Sequence, residues 1–221
     1  MKKRGLIIGT YDTAAELWLL SDWEFSAPEA VTEFVSVPGR LKGPLDLSTA
    51  LTDGDPVYNG RTLTAVLESS EGTRMEREAR IERMINELDG LRFSIVLPDD
   101  PLHYIEGRVS VAKQYNDLAH AAVQVTAECE PWRYNHTETI AVLNATSETQ
   151  TATLVNSGRL TVVPTVVVSG GDVLLKYGAA SWALSVGTYD LPDLLLMRGS
   201  SSVVTYSGVG VVIITYREAV L

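Results

Sequence analysis

Residues 99–134 of the chain, DDPLHYIEGRVSVAKQYNDLAHAAVQVTAECEPWRY, decide the fold of its first half. Within them, residues 104–111 and 121–129 each alternate apolar and polar side chains with a period of two. This is the pattern of a β-strand that buries one face and leaves the other in water. Residues 113–117, between the two blocks, include asparagine and aspartate, which favour turns. The stretch therefore predicts a β-hairpin.

The end of this hairpin marks a change in the character of the sequence. Pro131 is expected to end the second strand, because proline has no N–H to donate to a ladder. Residues 1–135 carry 14 Lys/Arg and 22 Asp/Glu, whereas residues 136–221 carry only 4 and 6. The length of 221 residues suits two ordinary domains. We therefore predict a first domain at 1–135 and a second at 136–221.

One helix is predicted, and it lies in the first domain. Thr73 and Glu76 have the spacing of a capping box, in which each side chain accepts a hydrogen bond from the backbone amide of the other residue. Gly90 is placed to end the helix. Between these signals, apolar residues recur at helical spacing and form one stripe: Ile81, Met84, Ile85 and Leu88.

The segment before the helix predicts short β elements and turns. Residues 31–37 alternate like a strand, and Pro38-Gly39-Arg40 is expected to break it. Residues 45–51 favour a loop with a helical turn. Asn59-Gly60 precedes the strand-like residues 61–67 and predicts a tight hairpin turn.

The second domain shows only β-type patterns. Glycines separate many short strand-like runs, an arrangement typical of a β-sandwich. Residues 144–158, rich in threonine, serine and asparagine, suit either a loop or an edge strand. The chain is thus predicted to be mainly β with one helix, an α+β protein. The predicted strands of the second domain are 137–143, 152–154, 160–168, 173–177, 181–186, 194–197, 203–206 and 209–216.

No catalytic, cofactor or metal site is predicted from the sequence. The three histidines, His103, His120 and His136, lack the spacing of a zinc site. Neither a nucleophile elbow nor a phosphate-binding loop occurs. The single cysteine, Cys129, falls in a strand pattern, where a buried apolar thiol is expected. We therefore expect a protein that is not an enzyme.

Charge and hydropathy limit the expected partners. The net charge is −10 and there is no basic stripe, so tight binding of nucleic acid is not expected. The apolar run that begins at Leu6 ends after three residues, too soon for a secretory signal. No window approaches the roughly 20 apolar residues of a membrane helix. We expect a soluble protein that is made in the cytosol.

Aromatic residues in the second domain allow two interpretations. Tyr177 and Trp182, with Asp190 and Asp193 nearby, have the composition of a sugar-binding site. Alternatively, Tyr177 and Trp182 flank a hairpin turn and pack across it. The second interpretation is favoured, because the residues beside Trp182 in the sequence are mostly alanine and leucine and supply few polar groups.

The order and spacing of several motifs resemble those of the distal tail proteins (Dit) of long, non-contractile-tailed bacteriophages and prophages. No single motif is specific, but the resemblance covers nearly the whole chain. In chain order the motifs are VSVPGR at 35–40, LDL at 45–47, YNGRTL at 58–63, the capped helix, YIEGRVSV at 104–111, AECEPWRY at 127–134 and GVGVVIITYRE at 208–218.

This resemblance implies a fold and a role. Members of the family form a hexameric ring through a tail-tube-like N-terminal domain and carry a galectin-like β-sandwich at the C-terminus. The ring is part of the virion at the tail tip and is assembled in the cytoplasm of the bacterial host. It connects the major tail tube protein to the baseplate hub and to the host-adsorption apparatus with its receptor-binding protein. The alternative function is a lectin-like carbohydrate-binding module used in host-cell attachment.

The resemblance also singles out residues with expected structural roles. The glycines of the motifs are expected at turns or bulges. The arginines are expected to hold carboxylates within or between subunits. The acidic first domain suits a ring through which DNA passes without binding to the wall. The motif residues are Pro38, Gly39, Arg40, Gly60, Arg61, Gly107, Arg108 and Pro131.

Overall fold

The computed structural model describes residues 5–38, 43–50, 52 and 55–221 of the chain. The chain divides into two compact units, Met1–Arg133 and Tyr134–Leu221. Over the described residues, the prediction of a mainly β protein with a single helix is confirmed.

The first unit is built on one large antiparallel sheet. Seven of its strands are hydrogen-bonded in the order β2-β1-β7-β8-β9-β6-β3, and β4 pairs separately with β5. The strands are β1 (Ile7–Ile8), β2 (Tyr11–Asp12), β3 (Leu19–Phe25), β4 (Phe34–Val35), β5 (Leu45–Asp46), β6 (Arg61–Ser69), β7 (Arg92–Leu97), β8 (Asp100–Asn116) and β9 (Ala121–Asn135).

The predicted helix is present as α1, Arg74–Leu88, and its cap is confirmed. The Thr73 hydroxyl accepts from the amide of Glu76, while the amide of Thr73 donates to the Glu76 carboxylate at 2.7 Å. Gly90 follows the C-cap residue with φ +76°, a conformation that glycine adopts without strain. The stripe of α1 packs into a core with one face of the sheet, which includes Trp18, Leu63, Leu67, Ile81, Met84, Leu88, Val123 and Val125.

The predicted hairpin of β8 and β9 is also confirmed, but both strands are longer than predicted. Pro131 lies inside β9, so the prediction that it ends the strand is wrong. The last residue pair between β6 and β9 is Arg61 with Cys129. Pro131 lies two residues beyond that pair, where no N–H is required toward β6.

The predicted hairpin at Asn59-Gly60 is wrong. The amide of Asn59 donates to the carbonyl of Glu29, and Tyr58 forms a β-bridge with Ala30. Residues after Gly60 enter β6, which pairs with β3 on one side and β9 on the other. Sheet pairing between distant segments thus overrides the local turn preference of the dipeptide.

The strand predicted at 31–37 is reduced to the two residues of β4, which pair with β5. The loop predicted at 45–51 begins instead with β5 and continues as a turn. Pro38 lies in a turn, as its role as a strand breaker requires. Gly39, Arg40 and Leu51 lie outside the described residues.

The second unit is a sandwich of two four-stranded antiparallel sheets, as predicted. One sheet has the order β10-β17-β12-β15 and the other β11-β16-β13-β14, and their inner faces share one core. The strands are β10 (Thr139–Ala145), β11 (Gln150–Asn156), β12 (Thr165–Ser169), β13 (Val173–Tyr177), β14 (Ala180–Leu184), β15 (Gly187–Asp190), β16 (Ser200–Gly208), β17 (Gly210–Tyr216) and β18 (Ala219–Val220).

In three places the sandwich either differs from the prediction or decides between alternatives that the sequence left open. Residues 144–158 contain β11, which is an edge strand. The run 194–197 is not a strand and forms only a bridge between Val162 and Leu196. β15 was not predicted, since its four residues, GTYD, carry no apolar alternation.

Candidate interaction surfaces

Two motif glycines lie against Cys129: Gly107, which is buried in the large sheet, and Gly60, which is exposed just before β6. A Cβ atom on Gly107 would stand 2.6 Å from the Cys129 sulfur, and one on Gly60 would stand 3.0 Å from the Cys129 carbonyl oxygen. Neither glycine has a positive φ. Gly107 pairs with Phe93 inside the ladder of β7 and β8, and both glycines permit close packing against Cys129. Burial raises the pKa of the Cys129 thiol to about 11, so the thiol is protonated near neutral pH.

Arg61 is the buried member of the motif arginines. Only 8% of its surface is exposed. Its guanidinium carbon lies 3.6 Å from the centre of the Phe25 ring, a cation–π contact. Its Nε donates to the carbonyl of Ser26 at 2.6 Å, whereas its Nη1 is buried without a partner among the described residues. Arg61 and Phe25 thus join β6 to the terminal strand β3.

Arg108 lies on the opposite side of the sheet and is exposed. Its Nη1 donates to the carbonyl of Gly90, just after α1. The neighbouring Arg92 forms ion pairs with Glu106 and Glu130. Arg92 thus has the carboxylate partners expected of motif arginines, whereas Arg108 secures the end of the helix.

The three histidines do not come together. His103 Nδ1 lies 2.6 Å from Asp100 Oδ1, and the other oxygen of Asp100 accepts from Arg133 Nη1 at 2.8 Å. Among the residues that the structure describes, no group of three His, Cys, Asp or Glu side chains could hold a metal ion.

The face of the large sheet opposite α1 is polar; we call it the open face. On β6 and β9 it presents the cross-strand pairs Thr62–Glu128 and Thr64–Thr126. On β3 it presents Asp22 and Glu24, which pair with Val66 and Thr64. Carboxylates outnumber cations on this face: Asp22, Glu24, Glu68, Glu106, Glu128 and Glu130 accompany only Arg92 and Arg108.

The described parts of segment 29–59, which are residues 29–38, 43–50, 52 and 55–59, form an apolar surface segment that we call the apolar arm. It folds back on itself: the amide of Val31 donates to the carbonyl of Val57 at 2.8 Å, and that of Leu47 donates to the carbonyl of Glu33 at 2.8 Å. None of its described residues belongs to either core. Phe34 is 62% exposed, and the arm also exposes Val31, Val35, Val37, Leu45 and Val57.

The two aromatic candidates for sugar binding point into the sandwich. Trp182 pairs with the fully buried Leu175 across β13 and β14, and Tyr177 lies diagonal to Trp182 in the same hairpin. Both side chains pack against the core of the second unit. The Tyr177 hydroxyl donates to the carbonyl of Leu195 at 2.9 Å. The structure therefore agrees with the packing interpretation of these residues.

One buried charge was missed by the sequence analysis. Arg77 is 1% exposed and lies on the same helical stripe as Ile81, Met84 and Leu88. Its guanidinium donates to the carbonyls of Gly72, Asp117 and Leu118. Its position four residues before Ile81 was the available signal that it faces inward.

Comparisons with solved structures include a match over nearly the full length of the chain. No protein-family model and no curated protein sequence matches the chain. No helix in the described part of the chain is long and apolar enough to cross a membrane. The tail of an empty GTA particle with C6 symmetry has a TM-score of 0.27 at 15% identity, covering 50% of this chain and 78% of the other.

One matching structure is the crystal structure of the Dit protein (gp 19.1) of phage SPP1, described as a paradigm of the hub adsorption apparatus in phages that infect Gram-positive bacteria. The TM-score is 0.67 at 14% sequence identity, and the match covers 98% of this chain and 99% of the SPP1 chain. The chain thus has the fold of SPP1 Dit over nearly its whole length, which confirms the predicted resemblance to distal tail proteins at the level of the fold.

Proposed function

We propose that this chain is a structural protein of a phage tail tip, a ring-forming hub that connects the tail tube to the host-adsorption apparatus. The observation that carries the proposal is the shared fold with SPP1 Dit, which extends over both units and leaves almost nothing of either chain unmatched. The role is mechanical and not catalytic. In this role the protein is a component of the virion and assembles in the host cytoplasm.

The proposed ring contains six copies of the first unit. In support, the large sheet ends in β2 and β3, each with a backbone edge that no other described strand covers. Such edges favour pairing with another chain. The two edges differ, and a contact between two different surfaces repeats around a closed ring. The apolar arm supplies exposed surface for the same neighbour or for the tail tube protein.

We assign the open face of the large sheet to the bore of this ring. Its threonine, glutamine and carboxylate side chains suit a water-filled channel, whereas the opposite face is covered by α1. The excess of carboxylates keeps phosphate away from the wall through like charge. DNA then passes without binding. The adjoining partners are the tail tube protein on one side and the hub and receptor-binding proteins on the other.

Native mass spectrometry and electron microscopy of the purified chain test the proposal. We expect a species of six times the 24.0 kDa chain mass, seen as six-fold rings, either alone or after mixing with the tail tube protein. A mobility-shift assay with duplex DNA at physiological salt should show no complex. A chain that stays monomeric with its tube protein, or that binds DNA tightly and in a salt-sensitive manner, contradicts the proposal.

A further inference from the structure

The guanidinium of Arg61 is buried but incompletely paired. It has one hydrogen bond, to the carbonyl of Ser26, and one aromatic contact, to Phe25. Its Nη1 is shielded from solvent and has no partner among the described residues. Buried charges in proteins are normally paired and fully hydrogen-bonded, because leaving water is costly for an ion. The Arg61 guanidinium therefore has fewer hydrogen-bond and charge partners than a buried arginine normally has.

Arg77 is a buried arginine of the same unit whose guanidinium is fully hydrogen-bonded. Its guanidinium donates to three backbone carbonyls, and its Nε lies 3.4 Å from the side-chain oxygen of Asn116. No nitrogen of Arg77 is buried without a partner. The fold can thus satisfy a buried arginine, whereas Nη1 of Arg61 has no hydrogen-bond partner among the described residues.

Among the described residues, none of the groups that shift the pKa of Arg61 is a carboxylate. Its partner across the ladder, Cys129, has its thiol pKa raised to about 11 by burial and is therefore neutral near pH 7. Arg133 adds a second positive charge nearby. Burial, followed by the charge of Arg133, lowers the pKa of Arg61 from its ordinary value. Among the described residues, no carboxylate lies in an ion pair with Arg61.

We propose that Arg61 receives a carboxylate from a neighbouring copy of this chain. The inference rests on the ring of the proposed function and names one contact within it. Arg61 lies over Phe25, at the end of the terminal strand β3, so its site borders the edge that a neighbour would cover. A neighbour with a net charge of −10 offers many carboxylates. Charge complementarity thus selects a second copy as the source of the anion.

The chemistry of the site explains why the residue is arginine. A guanidinium can stack on an aromatic ring and at the same time donate two parallel hydrogen bonds to a carboxylate. Lysine would place a single, strongly hydrated charge at the same position and could not reproduce this geometry. The contact between neighbouring copies should therefore form with arginine, and not with lysine, at position 61.

The first test uses single copies of the full-length chain and does not depend on a ring. The unfolding temperature is measured at pH 7.5 in sodium acetate and in sodium chloride of equal ionic strength. We expect acetate to raise the value for the wild type by roughly 2 °C, because an anion that binds only the folded state stabilises it. Arg61→Met should abolish this difference, whereas Arg108→Met, a control on the opposite face, should keep it.

The second test measures assembly with the same variants. Arg61→Met should leave the unfolding temperature of the single chain within about 2 °C of the wild type, since it removes an incompletely paired charge. Arg77→Met, the matched buried arginine, should lower it clearly. Ring formation by Arg61→Met should need at least tenfold more protein, and Arg61→Lys should not restore it.

Two results would overturn the inference: equal acetate effects in the wild type and Arg61→Met, or rings of Arg61→Met that form at wild-type concentrations. A third result would also overturn the inference: an Arg61→Met variant whose unfolding temperature is strongly lowered but still rises in acetate as in the wild type. Arg61 would then contribute to the stability of the fold alone. If the wild type forms no ring at all, the proposed function fails, but the acetate comparison still decides whether Arg61 is an anion site.

Discussion

Gly107 and Cys129 are packed so closely that the sheet cannot accept a methyl group between them. A Cβ on Gly107 would lie 2.6 Å from the Cys129 sulfur and 3.1 Å from the carbonyl oxygen of Glu128. The first neighbour is a side chain and the second is backbone, so only the first can be removed by mutation. This contact brings β8 and β9 together beside Arg61.

Gly107→Ala should therefore destabilise the chain by about 1–3 kcal/mol, the usual cost of overpacking. Urea unfolding, followed by circular dichroism, measures the change. Cys129→Ala removes the sulfur, and the double variant Gly107→Ala/Cys129→Ala should recover part of the loss because space becomes available. If the two losses simply add, the steric explanation is wrong.

The capping box of α1 gives a prediction about pH. The amide of Thr73, and then its hydroxyl, donate to the Glu76 carboxylate and lower its pKa. A carboxyl group whose pKa is lowered by folding stabilises the folded state when the pH is above the pKa of the unfolded state. This contribution is lost as the pH falls through the pKa of the folded state. Wild type should thus exceed Glu76→Gln in stability at pH 7, and the gap should narrow as the pH falls below the ordinary glutamate pKa of roughly 4.3.

Thr73→Ala is the companion variant for this prediction. It removes the side chain that caps the amide of Glu76 and should cost about 1 kcal/mol at pH 7. Thermal unfolding of the three proteins between pH 3 and pH 7 provides the measurement. A gap between wild type and Glu76→Gln that stays constant over this range would show that the carboxylate does not carry the effect.

The elements that the sequence predicted well depend on neighbours in the chain. The helix has its own start signal at Thr73 and stop signal at Gly90, and the strands β8 and β9 are joined by a short turn. Local preferences and the tertiary structure agree in these places. The alternation in the second unit likewise predicted a sandwich, because each strand has one face in the core.

The elements that were missed depend on distant segments. Asn59-Gly60 is a good turn dipeptide, but β6 pairs with β9 through residues more than sixty positions away, and that pairing fixes the local path. The motif glycines Gly60 and Gly107 are expected at turns or bulges because glycine often serves there, whereas their contact with Cys129 is set by the packing of neighbouring strands. The stacking of Arg61 on Phe25 across β6 and β3 has no signal in the sequence.

The division into two units gives a prediction about fragments. A chain that begins at residue 134 keeps two hydrogen bonds of Asn135: its amide donates to the carbonyl of Glu218 at 3.0 Å, and its carbonyl accepts from Arg217 at 2.6 Å. We expect the fragment 134–221 to fold alone with a cooperative thermal transition. The fragment 136–221 lacks both bonds and should be less stable by about 1–2 kcal/mol.

Circular dichroism of the two fragments and of the full chain tests this boundary, and limited proteolysis of the full chain provides an independent check. Cleavage should concentrate near residues 134–138 and leave a folded C-terminal piece. Preferential cleavage within the strands from β12 to β17 would instead show that the second unit needs the first.

The final prediction concerns sugars, the ligands of the alternative function. A saccharide site usually presents an aromatic face to solvent beside converging polar groups. Trp182 is directed toward Leu175 and the sandwich core, and the Tyr177 hydroxyl is already bonded to the carbonyl of Leu195. The full-length chain should therefore bind no saccharide on a glycan array or in calorimetric titration.

Trp182→Phe should keep the fold, whereas Trp182→Ala should lose about 2 kcal/mol of stability, less than a fully buried tryptophan would. Millimolar or tighter binding of one sugar that disappears in a folded Trp182→Phe variant would reverse this conclusion and favour a lectin-like role for the second unit.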